Sequence, residues 1–295
     1  MSSPIETHYT RPELYQQILQ ALKDQGKTEI SRKDLAAVDE FHVRGAAVSM
    51  ELAKEAGFNK EMRILDAGCG IGGPCRMLAS EFGCHITGID ITEEFIQTAK
   101  LLTQLVDLDH LVQYIHADAL NMPFENESFD IVWTQHVQMN IRDKEKFYAE
   151  IKRVLKPGGR LIYYDIFTKS HSEVIYPVPW PNDQSISFLV SSATLHEFLI
   201  NDGFIKLKIK DHTKEGIQFL KEMTERINSQ GQPKLSMHLI MGDLWKEKLQ
   251  NLLTNLENGV LEIESGIYQK PADESLQAWI PGLFYHHQKP ASLHL

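Results

Sequence analysis

Cysteine is scarce: Cys69, Cys75 and Cys84 are the only three, clustered in one short stretch of a chain of 295 residues. An odd, small number excludes a disulfide framework, and the spacing matches no zinc motif, so no metal site is expected. Basic runs are lacking too. Lys and Arg total 30 against 40 Asp and Glu, a formal charge of −10, and without clustered cations to neutralise phosphates no nucleic-acid partner is expected. No apolar stretch approaches the roughly 20 residues that span a bilayer, and the opening MSSPIETHYTRPELY lacks the apolar centre of a signal peptide. These absences predict a cytoplasmic protein. There is no internal repeat or low-complexity segment, while 42% apolar residues supply a large core for one domain with sizeable insertions.

From residue 63 to 165, short β-rich runs alternate with amphipathic stretches, the pattern of β-α units feeding a parallel sheet. RILDAG (63 to 68), HITGID (85 to 90), VQYIHA (112 to 117), FDIVWT (129 to 134) and RLIYYDI (160 to 166) are the predicted strands. Helical spacing fills PCRMLASEF, TEEFIQTAKLLTQL and DKEKFYAEIKRVL between them. Thr92 and Asp143 are candidate caps, and KPGG (156 to 159) is expected to end the third helix and turn the chain. Residues 1–57 read as an N-terminal helical lid, and 58–270 as the main domain with cap insertions at 167–192 and 211–258. A tail follows from 271 to 295. Its apolar residues Trp279, Leu283, Phe284 and Tyr285 need a surface on this chain or on a second copy, so a homodimer is one arrangement it predicts.

The chemistry is concentrated in RILDAGCGIGGPCRMLASEFG, a strand that runs through glycines 68, 70, 72 and 73 into a helix. Glycine lets a ligand approach the backbone and adopts positive φ at little cost, and the helix start offers free N–H groups. A dinucleotide pyrophosphate would be repelled by an acid here. Asp66, two residues before the first glycine, suits a nucleoside cofactor with a cationic amine and no phosphate. Asp90 closes the next strand, where a carboxylate can accept both ribose hydroxyls, and Asp118 closes the third, in reach of an adenine amino group. Asp118 also suits a plain turn after a strand. Three successive strands thus end in acids along one carboxyl edge, where open α/β sheets bind ligands.

DAGCGIGG, the acid in TGID, the acid in ADAL, FDIVWT and LKPGGRL together resemble the class I S-adenosylmethionine-dependent methyltransferases. The resemblance implies an α/β, Rossmann-like sheet of seven strands with helices on both faces, its last strand (259 to 269) antiparallel beside 204 to 210. It implies S-adenosyl-L-methionine as cofactor and S-adenosyl-L-homocysteine as product. Asp66, Gly68 and Gly70 would face the methionine part, Asp90 and Ile91 the ribose and adenine, Asp118 and Ala119 the adenine edge, and Gln135 the methionine end. Tyr9 either closes over the cofactor as a lid or is an ordinary packed aromatic. Arg44, in FHVRG, either pairs with the cofactor carboxylate or is solvated.

The acceptor is a small molecule in this reading. WTQHVQMN lies where the methyl group would emerge, and His136 is the candidate catalytic residue, as general base, hydrogen-bond partner of the acceptor, or support for the loop. FHVRG, WTQHVQMN and the late NLLTNLENGVLEIESGIYQK look like the branch containing sarcosine and dimethylglycine N-methyltransferases, which favours an amine of the glycine, sarcosine or dimethylglycine type. YPVPWP with Met237, Met241 and Trp245 would suit O- or C-methylation of a phenol, quinol or lipid-like product instead. A cofactor-binding scaffold is the non-enzymatic alternative.

Overall fold

Parallel strands covered on both faces require near-continuous apolar runs, and ILDA, ITGI and IVWT provide them. The computed structural model describes residues 4–169, 173–231 and 233–272, and its centre is a sheet of β1 (Arg63–Ala67), β2 (His85–Asp90), β3 (Val112–His116), β4 (Phe129–Gln135), β5 (Leu155–Thr168), β6 (Ile205–Asp211) and β7 (Leu261–Gln269). Their order is β3-β2-β1-β4-β5-β7-β6. β7 runs antiparallel to both neighbours and the pairs from β3 to β5 are parallel, as the family resemblance implied. The exposed strand β6 carries Lys206, Lys208 and Lys210, charges that blunt a sheet edge.

The helices are α1 (Pro4–Tyr9), α2 (Leu14–Asp24), α3 (Ala36–Asp39), α4 (Ala46–Glu55), α5 (Gly73–Phe82), α6 (Glu93–Leu105), α7 (Lys144–Val154), α8 (Ser192–Asn201), α9 (Thr213–Gln230), α10 (His238–Met241) and α11 (Trp245–Glu257). Side-chain alternation divides the core. Ile64, Ile86, Ile131 and Trp133 meet Leu52 of α4, Met77 of α5 and Ile96 of α6 on one face. Leu65, Ile89, Val132 and Leu161 meet Phe147 and Ile151 of α7 and Leu199 of α8 on the other. Leu14, Ile18 and Leu22 of α2 join Phe95 and Leu102 of α6 in a third cluster that seats the N-terminal helices.

Two local expectations change. KPGG does not turn the chain outside the sheet but forms the irregular first part of β5, where the β4 register shifts between Phe129 and Ile131. Gly158, at φ 76°, donates its N–H to Lys270 O at 3.0 Å, and Lys270 N–H bonds Gly159 O at 2.8 Å, so ladder bonds to the chain just beyond β7 replace a free turn. After the proline-rich stretch, Ser191 caps α8 by accepting from Thr194 N–H. Residues 273–295, with the apolar tail and the dimer it suggested, lie outside the described residues.

Candidate active site

β1 ends in Asp66-Ala67 and delivers the chain to Gly68, whose φ of 87° favours glycine and whose missing Cβ would lie 2.4 Å from Val137 Cγ2. Gly70, at φ 54°, has open space where a Cβ would stand. Beyond these glycines lies a cavity of about 390 Å³, walled by Asp66, Gly68, Gly70, Asp90, Asp118 and Gln135. Ile91, Ala119, Tyr9 and His136 complete the set of sequence-predicted residues that meet there.

Each acid is held differently. Asp66 is buried, receives Cys75 Sγ–H on Oδ2 at 3.1 Å, and burial pushes its carboxyl up to about 7. Asp90 Oδ2 accepts the N–H of Gly70 at 3.0 Å and Oδ1 the N–H of Thr92 at 2.8 Å. Burial raises its pKa while these bonds pull it down. Asp118 is exposed and accepts the N–H of Leu120 at 2.8 Å, so the turn role considered for it is real, and the side chain also borders the cavity.

α1 lies over this opening: Pro4, Ile5 and Tyr9 line it. Tyr9 Oη donates to Asn140 Oδ1 at 2.9 Å, and its ring meets Phe95 at 5.8 Å. Burial among these groups raises the phenol above its usual range. Asn140 is fixed in turn by donating to Ile186 O at 3.2 Å. Below the segment from His136 to Ile141, Lys144 Nζ donates to the carbonyls of Gln138, Ile141 and Phe188 at 2.7 to 2.8 Å, clamping the loop.

Arg44 does not reach this cavity, contrary to the expected pairing with a cofactor carboxylate. Positive φ at Arg44 (70°) and Gly45 (54°) reverses the chain before α4. The guanidinium lies 2.8 Å from His212 Nδ1 and donates to Glu51 Oε2 at 3.1 Å. It borders a second cavity of about 340 Å³.

The two cavities share Phe41, His42 and His136. His136 is in the left-handed region, at φ 52°, with its N–H on Tyr164 O at 2.9 Å and its ring stacked on Tyr164 at 5.3 Å. A non-glycine residue held there stores strain, a common mark of functional positions. Nε2 is buried without a hydrogen-bond partner, and burial keeps the imidazole well below its ordinary pKa, hence neutral. His42, pushed down to about 4 by burial, stands edge-on to it with ring centroids 6.1 Å apart. His42 Nε2 lies 3.0 Å from both Gly45 O and Ser49 Oγ, and Gln135 Nε2 donates to Ser49 Oγ at 3.0 Å. A polar chain thus links the end of β4 to the boundary of the two cavities. Sequence reasoning missed His42 and Ser49. The available signal was a serine on the otherwise apolar face of AAVSMELA, and a histidine two residues before the arginine that drew attention.

Residues 65–163 match the family model described as a methyltransferase domain. The matched segment runs from β1 into β5, so the chain carries a methyltransferase domain within its seven-stranded sheet. It is 31% identical over 140 residues to a glycine/sarcosine/dimethylglycine N-methyltransferase of Actinopolyspora halophila, covering 48% of this chain and 24% of that one. It is 34% identical over 161 residues to a sterol 24-C-methyltransferase of Candida albicans, covering 52% and 42%. The chain therefore spans less than half the length of either relative. The structure of phosphoethanolamine N-methyltransferase 2 from Haemonchus contortus, in complex with S-adenosyl-L-methionine, superposes with a TM-score of 0.67 at 23% identity, over 85% of this chain and 60% of that one.

Proposed function

We propose that this protein transfers a methyl group from S-adenosylmethionine to a small-molecule acceptor with a largely apolar body. The carrying observation is the meeting of two cavities at His136, one edged by the acids of the sheet and the other by Leu220, Met223, Met241, Leu249 and Leu252.

The residues of the first cavity fit the donor. Asp66 is a buried acid with no cation beside it, the counter-group an amino-acid ammonium needs. Asp90 is oriented by two backbone N–H groups and keeps lone pairs for ribose hydroxyls. Gly70 leaves a bare backbone, and α1 with Tyr9 excludes water. When bound, S-adenosylmethionine supplies an electrophilic methyl group on a sulfonium. The protein's part is alignment, which can contribute about 7–11 kcal/mol to such displacements. Neutral His136 borders both cavities, which supports a role in hydrogen-bonding the acceptor and orienting its lone pair. No carboxylate braces it, so it is a positioning partner in preference to a strong base.

The second cavity supports an apolar acceptor over glycine or sarcosine, because most of its lining is apolar, including Phe219, Leu220, Met223, Met237 and Met241. Of the cations considered, Arg44 is engaged with Glu51 and Lys169 is 3.7 Å from Glu262, whereas Arg142, over the Phe188 ring at 4.4 Å, borders the first cavity and exposed Arg226 the second. Release of S-adenosylhomocysteine over glycine, sarcosine, dimethylglycine, phosphoethanolamine, phenols, quinols and aryl amines tests this; best turnover on glycine or sarcosine would overturn it. His136→Ala is expected to lower kcat about 10- to 100-fold with a smaller change in donor KM, and undiminished kcat would remove the residue from the mechanism.

Donor binding should also release a proton. Asp66 without ligand has its pKa raised to about 7 by burial, and a bound cation favours the ionised form. The linkage therefore runs one way: affinity for S-adenosylmethionine falls as pH drops below about 7. Calorimetry at pH 6.5 in two buffers of different ionisation enthalpy should show this release, and Asp66→Asn should abolish it. Buffer-independent heats in the native protein would refute the assignment.

A further inference from the structure

Glu40, the residue after α3, places a carboxylate in the wall of the second cavity. Its side chain is 10% exposed, and its Oε2 is buried without a hydrogen-bond partner. His42 Nε2 lies 3.5 Å from it, is occupied with Gly45 O and Ser49 Oγ and belongs to a ring that burial keeps neutral. Arg226, on the same cavity wall, is exposed and makes no ion pair with Glu40 among the described residues, and the other neighbouring cations are paired. Arg76 is paired with Asp39, Arg32 with Glu81 and Arg44 with Glu51. Burial and the adjacent Asp39 push the Glu40 carboxyl up to about 7, while Arg32 and Arg76 pull in the opposite direction.

With Oε2 unpartnered among the described residues, this largely buried acid is costly to ionise. It brings the fold no hydrogen bond through Oε2, yet it stands in a mainly apolar wall that also carries Arg44 and Arg226 and reaches His136. The missing partner is therefore a donor that arrives with the ligand. A cation fits best, because it compensates the buried charge, whereas a hydroxyl would leave that charge in place.

We propose that Glu40 is an acceptor-binding residue and that the acceptor is an apolar amine, its ammonium paired with Glu40 and its hydrocarbon body against the methionines and leucines of α9, α10 and α11. This rests on the methyl-transfer reading and narrows its acceptor class. Where that amine is itself the methylated nitrogen, its proton passes to the Glu40 carboxylate. The freed nitrogen lone pair forms the N–C bond, and the S–C bond breaks with its electron pair going to sulfur.

The test uses the full chain saturated with S-adenosylhomocysteine at pH 8, where Glu40 is ionised and alkyl amines are still cationic. Benzylamine, phenethylamine, 4-phenylbutylamine and n-octylamine are titrated beside the alcohols of the same skeletons, against the native protein and Glu40→Gln. At least one amine should bind the native protein at least tenfold more tightly than its alcohol, and E40Q should erase that preference. E40Q should melt no lower than the native protein, since it removes an unpaired buried charge. Equal binding of amines and alcohols, binding of neither, an amine preference that survives E40Q, or a Tm lowered by several degrees would each overturn the assignment. Failure of the native protein to bind S-adenosylhomocysteine would instead sink the methyl-transfer reading itself.

Discussion

Replacing Asp90 with alanine is expected to weaken S-adenosylmethionine binding by about a hundredfold while leaving the fold in place. The carboxylate is fixed from behind by the N–H groups of Gly70 and Thr92, so its outward lone pairs are aimed before the donor arrives. Hydrogen bonds to a charged group contribute about 1.5–3 kcal/mol each. Two bonds to a ribose would together exceed the roughly 2.8 kcal/mol that a hundredfold change requires. The two backbone donors released by the substitution border a cavity in which water can take them over. Titration calorimetry with circular dichroism on the same samples checks both halves, and near-native affinity in the variant would show that Asp90 does not carry the ribose.

The second large effect concerns stability and separates two glycines of one loop. A Cβ at Gly73 would stand 1.9 Å from the backbone oxygen of Asp39, and a rigid main chain cannot yield as a side chain would. Gly73→Ala must drive α3 away from α5 and strain the ion pair between Asp39 and fully buried Arg76. Overpacking costs about 1–3 kcal/mol and breaking a buried pair about 3–5 kcal/mol, so a loss of about 4 kcal/mol and a Tm lower by about 8 °C are expected. Gly70→Ala meets nothing within 4 Å. Its cost is the positive φ, roughly 1–2 kcal/mol, and its methyl group intrudes on the donor cavity. Thermal melts and donor titrations of the two variants should therefore diverge: fold lost in one, binding lost in the other. A G73A protein with native Tm would contradict the packing described for α3.

The sheet was legible because β1, β2 and β4 are short apolar runs, the first two closed by aspartate and glycine, a local pattern that needs no tertiary knowledge. The donor cavity was nearly as legible, since Asp66, Asp90 and Asp118 follow directly from strand ends brought side by side. What escaped depends on contacts far apart in sequence. Arg44 reads as a cofactor cation only until Glu51 and His212 are seen to hold it. Tyr9 gains a defined role through Asn140, which lies 131 positions away. KPGG reads as a turn because proline and two glycines outvote strand propensity, but pairing with Lys270 rescues the strand. Glu40 carries no motif at all, and only the absence of a partner in three dimensions distinguishes it from a surface acid.

The separate linings of the two cavities bear on turnover. On the proposed assignment donor and acceptor occupy adjoining chambers: α1 borders the first cavity and residues of α9 and α11 the second, α10 gives Ile240 to one and Met241 to the other, and Phe41, His42 and His136 line both. With α1 over the first chamber alone, that assignment would let spent cofactor exchange there while the acceptor stays in its own chamber. An architecture of this kind permits successive methylations of one retained molecule, each limited by exchange in the donor chamber.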